Sequence, residues 1–319
     1  MYESRVIAMD LTPEFYQEEV RCGYLVSAKM KKIWAVELDL LDKFSQVCEK
    51  HGLRYFIGAG TLLGAVRHQG FIPWDDDVDV ILPREDYDRL WEIAAAEFKE
   101  PYFFQTTLSE NGFCRTHAQL RNSNTTGFIR EDADKNINRG IFLDVFPMDA
   151  LPDEPKKQEA LRRELNFYKK ILGYEYNIPY GVLPAKGRLF YHLIHLFFKV
   201  VPYKAFFQHF NHKVLGKYSA DHTTEKVADL SLAWRDCVHW KREWFTDFVY
   251  LPFENLQLRA PYRYQEVLTH QYGDYMRIPD DVTAPNGRCH GEVTFEPDIP
   301  YIDYFRNRSE KETKYAESH

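Results

Sequence analysis

A chain of 319 residues with 45% apolar and 16% aromatic side chains can bury a full core, as one large domain or two lobes, and is not a disordered sequence. Its formal net charge of −7 argues against bulk nucleic-acid binding, because a phosphate-backbone binder needs a basic face. The five cysteines (Cys22, Cys48, Cys114, Cys237, Cys289) are widely spaced without a Cys-x-x-Cys pair, which fits free thiols in a reducing compartment better than a disulfide framework or structural zinc.

Met1 to Asp10 lacks a long apolar run, so no signal peptide is expected. The most apolar stretch, Leu189 to Val201, is too short to span a bilayer and carries His192, His195 and Lys199. The expected location is cytoplasmic.

Ser27 to Lys50 predicts a helix, with Met30, Ile33, Trp34, Leu38, Leu41, Phe44 and Cys48 at three- and four-residue intervals and Gly52 after the last turn. Arg54 to Ile57 reads as a short strand, Thr61 to His68 as a short helix and Val78 to Leu82 as a second strand. Glu85 to Phe98 predicts an amphipathic helix whose buried stripe is Tyr87, Leu90, Trp91, Ala94, Ala95 and Phe98. Residues 113–121 read as a strand with Arg115, His117, Gln119 and Arg121 on one face, either exposed to solvent or lining an anionic pocket. Asn122 to Thr126 is a turn cluster. Gly140 to Phe146 predicts a strand in which Asp144 stands alone among apolar neighbours, so it is placed there for function or is paired.

Pro147, Pro152 and Pro155 punctuate a predicted boundary loop. Lys156 to Trp244 has helical character with breaks near Pro179, Pro184 and Pro202. His192, His195, His209 and His212 have metal-like spacing there, but their apolar surroundings favour core or surface histidines over a zinc site. Short strand-like pieces follow from Trp244 to Leu258, then a helix from Pro261 to Tyr275, and the charged tail from Asn307 is expected to be disordered.

The segment from Gly58 to Leu82 holds the chemistry. A Gly-x-Gly-Thr turn opens a helix, where backbone N–H groups bind phosphate, and four carboxylates then crowd into five positions at the mouth of a strand. Strand alternation puts Asp75, Asp77 and Asp79 on one face, with Val78, Val80 and Leu82 pointing into a core. Such a hard-oxygen set suits Mg²⁺ or Mn²⁺. A solvated acidic loop is the plainer alternative, yet this run lies between Phe71-Ile72-Pro73-Trp74 and Val78-Val80-Ile81-Leu82, and burying unpaired carboxylates is expensive. A calcium loop would need Gly and Glu where this chain has Val80 and Asp86.

These residues resemble the LicD family, which includes bacterial phosphocholine transferases and the fukutin-related proteins. The resemblance rests on Gly58 to Asp79, on Arg121-Asn-x-Asn-Thr-Thr126, on Gly140 to Asp149, and on Tyr272-Gly-Asp-Tyr-Met276 through Arg288 and His290. It covers about residues 25–151 and 245–291 and is weakest in the middle region. It implies an α/β (α+β) fold with a nucleotidyltransferase-like mixed sheet flanked by helices and an added helical lobe. The implied division is a catalytic core over 1–151, an aromatic-rich substrate lobe over 152–245, a part completing the site over 246–300 and a tail over 301–319.

The resemblance further implies transfer of a phospho-alcohol, phosphocholine foremost, from a CDP-activated donor to a sugar hydroxyl of a cell-surface or lipid-linked glycan, releasing CMP. Asp77, Asp79 and Asp144 would be catalytic. With Asp75 they would hold Mg²⁺ or Mn²⁺, and Asp144 is also the candidate general base. Gly60 and Thr61 would contact phosphate, Arg67, Arg121 and Arg288 are candidate phosphate partners, and His68 and His117 are reserve bases. A true nucleotidyltransferase acting on NTP and an inactive glycan-binding module are the alternatives. The helical lobe is expected to be mostly buried and to form one wall of the acceptor cleft, with peripheral contact at the inner face of the membrane as the competing role for its basic, apolar helix.

Overall fold

The computed structural model describes residues 8–176, 184–219, 222–231, 238–279 and 293–308. Cys237, Cys289, Arg288 and His290 lie outside the described residues, so the expectations placed on them are not taken further.

A small hairpin of β1 (Glu19–Arg21) and β2 (Tyr24–Val26) leads into α1 (Ala28–Lys50), which is capped by the Ser27 hydroxyl accepting from Met30 N. The apolar face of α1 buries Trp34, Leu38, Leu41 and Phe44. Next come β3 (Phe56–Ile57), α2 (Ala59–His68), β4 (Asp79–Pro83) and α3 (Arg84–Glu97). These fall within a few residues of the expected elements. In α3, however, Ala95 faces solvent, so the buried stripe is narrower than the sequence reading.

The remaining core strands are β5 (Tyr102–Gln105), β6 (Ala118–Asn122), β7 (Thr126–Ile129) and β8 (Ile141–Leu151). The strand expected over 113–121 begins only at Ala118, because Arg115 turns aside to pair with buried Asp132 at 2.6 Å. All of β6 is buried on both faces, so Gln119 and Arg121 are interior groups and not a solvated face.

β8 is the spine of a seven-stranded mixed sheet. It runs parallel to β4 with Asp79 opposite Asp144, and antiparallel to β6 with Gln119 opposite Asp144. It runs through Pro147, where the sequence predicts a boundary. Pairing with β6 ends at Val145, and pairing with β9 (Lys226–Ala228) starts at Asp149, so the proline occupies the changeover where no ladder bond is required on that edge. β8 ends only at Leu151, within the expected boundary loop.

Beyond it, α4 (Pro155–Tyr176), α5 (Ala185–Val200) and α6 (Tyr203–Lys213) form the expected helical lobe, with Pro184 and Pro202 at the N-caps of α5 and α6. β9 and its partner β10 (His239–Lys241) are three-residue strands that the helical reading of this region did not anticipate. The lobe has its own core of Leu161, Leu165, Leu172, Phe207, Phe210 and Leu215. A buried ion pair joins it to the sheet: Arg84 donates through Nε and Nη2 to Asp149 at 2.6 and 2.9 Å, and through Nη1 to Asn211 on α6 at 3.1 Å.

The lobe is not mostly buried along its length. Among the described residues of α5 only Gly187 and Ile194 are buried, and no described element covers the opposite face. A hairpin of β11 (Phe248–Phe253) and β12 (Leu256–Pro261) leads to α7 (Tyr264–Tyr272), and β13 (Val293–Glu296) pairs with β7. Residues 301–308, assigned to a disordered tail, are helical and pack Tyr304 and Phe305 on Phe128.

Candidate active site

Three elements converge at the β4 edge of the sheet. Gly58 N donates to Asp79 O, and Asp144 N donates to Val78 O, each at 3.0 Å, which locks the end of β4 between the α2 turn and β8. Thr61 is buried, and its hydroxyl accepts from Asp79 N at 2.8 Å. Thr61 thus fixes the strand end from inside, while Gly60 forms the open side of the turn. Ala59 takes φ +40°, in the left-handed region that a side chain rarely occupies. A Cβ on Gly60 would lie 2.6 Å from Asp75 Oδ2, so only glycine leaves room there for the carboxylate.

Residues 75–78 lead into β4 without regular secondary structure, and the indole of Trp34 on α1 donates to Asp75 O at 3.1 Å to hold them. Asp75, Asp77 and Asp79 face one cavity of about 320 Å³ together with Gly60, Arg67 and Trp74. The far wall of that cavity is Tyr272, Asp274 and Arg277, just past the end of α7. None of its lining residues belongs to 152–245, so among the described residues the helical lobe is not a wall of this cavity.

Asp77, Asp79 and Asp144 can each bring a carboxylate oxygen within 4.8 Å of the others, and Asp75, Asp76 and Asp77 form a second such group. Such a donor set is all hard oxygen, and its geometry fits an Mg²⁺ or Mn²⁺ ion. Gln119 donates to Asp144 Oδ1 at 2.7 Å, and His117 Nε2 lies 3.3 Å from the same oxygen with its ring tilted on Phe146. Burial alone would raise the Asp144 pKa, but the His117 contact, the charge of Arg115 and the Gln119 hydrogen bond bring it below the ordinary carboxylate value.

The other basic candidates differ in placement. Arg67 lines the cavity, donates through Nη1 to Tyr275 O at 3.1 Å and through Nε to His68 Nε2 at 2.8 Å, and has its pKa lowered by burial. His68 is not on the cavity surface. It supports Arg67 from behind, and burial, Arg67 and Arg21 lower its pKa to about 4, so it is neutral at pH 7. Arg121 is fully buried. It donates to Gly127 O at 3.0 Å and Gly140 O at 2.6 Å and also holds the side-chain carbonyls of Gln105 and Gln119. It therefore acts one residue removed from Asp144, through Gln119, and has no face toward the cavity.

Two residues missed by the sequence reading belong to this region. Glu37, on α1 behind the aspartates, is 1% exposed, its Oε2 has no hydrogen-bond partner, and burial followed by the negative charges of Asp77, Asp76, Asp75 and Asp79 raises its pKa well above the ordinary value. Within Trp34 to Leu41 the acids Glu37 and Asp39 stand among six apolar residues, a weaker form of the signal that marked Asp144. Tyr272 has its pKa raised by burial and then by Asp79, Asp75 and Asp77, and its Tyr-Gly-Asp context was read only through the resemblance.

A glycine turn set against Asp79 at the start of β4 and Asp77 just before it, with Asp144 opposite on the neighbouring parallel strand, is the arrangement expected of a nucleotidyltransferase-like core. Residues 52–173 match the LicD/FKTN/FKRP nucleotidyltransferase domain, so this part of the chain is similar to transferases of LicD type. It is 28% identical over 258 residues, 76% of this chain and 90% of the relative, to the lipopolysaccharide cholinephosphotransferase LicD of Haemophilus influenzae. It is also 45% identical over 51 residues to the ribitol 5-phosphate transferase FKRP of Homo sapiens, a match covering 16% of this chain and 10% of that protein.

Proposed function

We propose that the chain moves a phospho-alcohol, phosphocholine foremost, from a CDP-activated donor to a sugar hydroxyl of a glycan or lipid-linked glycan, releasing CMP. The observation that carries this reading is the meeting of Asp77, Asp79 and Asp144 beside the Gly60 turn. The chain's likeness to a lipopolysaccharide cholinephosphotransferase supports choline as the alcohol and a lipid-anchored glycan as the acceptor.

Asp77, Asp79 and Asp144, with Asp75 beside them, would hold Mg²⁺ or Mn²⁺, which when bound would neutralise charge on the donor diphosphate. Backbone N–H groups at the Gly60 turn would hold a phosphate oxygen, and Arg67 would pair with another. The acceptor oxygen bonds to the phosphorus that carries the alcohol, the bridging P–O bond to CMP breaks, and the hydroxyl proton passes to Asp144 where it serves as base and leaves the metal to Asp75, Asp77 and Asp79, with His117 beside it.

The test is incubation with Mg²⁺ or Mn²⁺ and CDP-choline, CDP-ethanolamine, CDP-glycerol or CDP-ribitol, with CMP as the readout. CMP release with CDP-choline above the other donors is expected. Pyrophosphate release from an NTP instead would make the chain a true nucleotidyltransferase, and glycan binding without turnover of any donor would make it a binding module.

A further inference from the structure

The α5 helix turns an apolar stripe to the outside. Leu189, Leu193, Leu196 and Val200 are 64%, 54%, 60% and 81% exposed, and Phe197 is 41% exposed at the stripe's edge. At a helical turn of 3.6 residues these positions fall within one band about 100° wide, the width of a face built to be covered. Soluble helices place such a face on a core. Here the other side already meets the lobe: Ile194 is buried, and Phe198 packs on Tyr203 and Phe206 of α6.

Charge identifies what fits this face. Residues 184–219, which span α5 and α6, contain Lys186, Arg188, Lys199, Lys204, Lys213 and Lys217 and no Asp or Glu, although 48 of the chain's 319 residues are acidic. On the same helical projection Arg188 and Lys199 lie along one edge of the stripe, and Lys186 lies at its N-terminal end. A second copy docked through α5 would bring these like charges together, which opposes self-association. An apolar band rimmed by cations is complementary to a bilayer surface that carries anionic phospholipid.

We propose that α5 is an in-plane membrane anchor, seating Leu189, Leu193, Leu196 and Val200 among acyl chains and Lys186 and Lys199 among anionic headgroups. This deepens the proposed reading, because a lipid-linked acceptor would be met at that surface. No described helix is long and apolar enough to cross a membrane, so the attachment is peripheral.

The experiment is co-sedimentation of the full chain with phosphatidylcholine vesicles containing or lacking phosphatidylglycerol. Binding is expected with phosphatidylglycerol, should weaken with salt, and should fall about tenfold or more in Leu193→Glu and in Lys186→Glu/Lys199→Glu. Because Leu193 and Val200 are exposed, the circular dichroism spectrum and melting temperature should be unchanged. Val200→Asn serves as a milder second probe should Leu193→Glu unfold. CMP release from CDP-choline in detergent-free solution should match wild type in these variants, so failed membrane binding and failed chemistry are separately visible. No binding to phosphatidylglycerol vesicles, binding that survives all three variants, or a wild-type dimer that Leu193→Glu converts to monomer would each overturn the anchor.

Discussion

Asp79 and Asp144 stand directly opposite each other on the parallel pair of strands β4 and β8, and Asp144 N donates to the carbonyl of Val78 at 3.0 Å. Two carboxylates at that register repel unless a cation lies between them or one takes a proton. His117 and Gln119 hold Asp144 in the charged form, which favours the cation.

Asp77→Asn, Asp79→Asn and Asp144→Asn should each lower turnover by two to three orders of magnitude or more, because each removes a charged oxygen from the shared site. Mn²⁺ affinity should fall in parallel, while melting in metal-free buffer stays the same or rises as repulsion is relieved. Isothermal titration with Mn²⁺ beside CMP release makes the comparison. Wild-type turnover in any of the three at saturating metal would remove that residue from the site.

The aspartate run was legible because its chemistry is consecutive in sequence and its flanks are apolar, and Asp144 because a lone acid in a strand of Ile, Phe, Leu and Val needs a reason. Glu37 carries a weaker signal, and a helix hides it: beside Asp39 and Asp42 on α1 it looks like one of several solvent-side acids until α1 is seen packed on both sides. Arg121 was misplaced for the opposite reason. Strand alternation puts it on the same face as His117, but nothing in the alternation says that the carbonyls of Gly127 and Gly140 already wait for its guanidinium. The α5 stripe reads identically whether protein or lipid covers it, so only the structure could show that no described element does.

Arg121→Met should be mainly a stability defect. The carbonyls of Gly127 and Gly140 would lose a buried donor, and Gln105 and Gln119 would lose the group that orients them, at a cost of about 3 kcal/mol or more. Since Gln119 donates to Asp144, activity measured on the folded fraction should fall more modestly than in Asp144→Asn. Urea unfolding paired with CMP release tells the two apart. A fully stable but inactive variant would instead indicate direct contact with substrate.

The neutral His68 sets a pH window. Its folded pKa is about 4 against an ordinary value of 6.5, so above pH 6.5 neither state is protonated and the native arrangement is intact. As pH falls from 6.5 toward 4 the unfolded chain takes up the proton first, and stability declines across that interval. His68→Gln, which keeps an acceptor for Arg67, should flatten this part of the stability curve. Urea midpoints at closely spaced pH values measure it, and an unchanged slope would place the acid sensitivity on another group.

Two glycines of α2 should separate chemistry from folding. In Gly60→Ala the new methyl meets the end of the Asp75 side chain, which is half-buried and able to swing aside, so stability should change by less than about 1 kcal/mol. The displaced carboxylate and the filled turn should nevertheless cut kcat/KM by roughly ten- to a hundredfold, since misplacement on the order of 1 Å at a phosphotransfer site has that effect. In Gly64→Ala the methyl would run into the backbone carbonyl of Gly70, which cannot rotate away and is tied to the segment holding Phe71 and Ile72. That variant should lose about 1–3 kcal/mol through overpacking. Its folded fraction should keep most of its activity, because neither Gly64 nor Gly70 lines the cavity. Denaturant melts and CMP release on both variants give the four values needed. Equal losses of stability in the two, or a Gly60→Ala enzyme with wild-type kcat/KM, would show that the Gly60 turn is a packing feature and not the phosphate cradle.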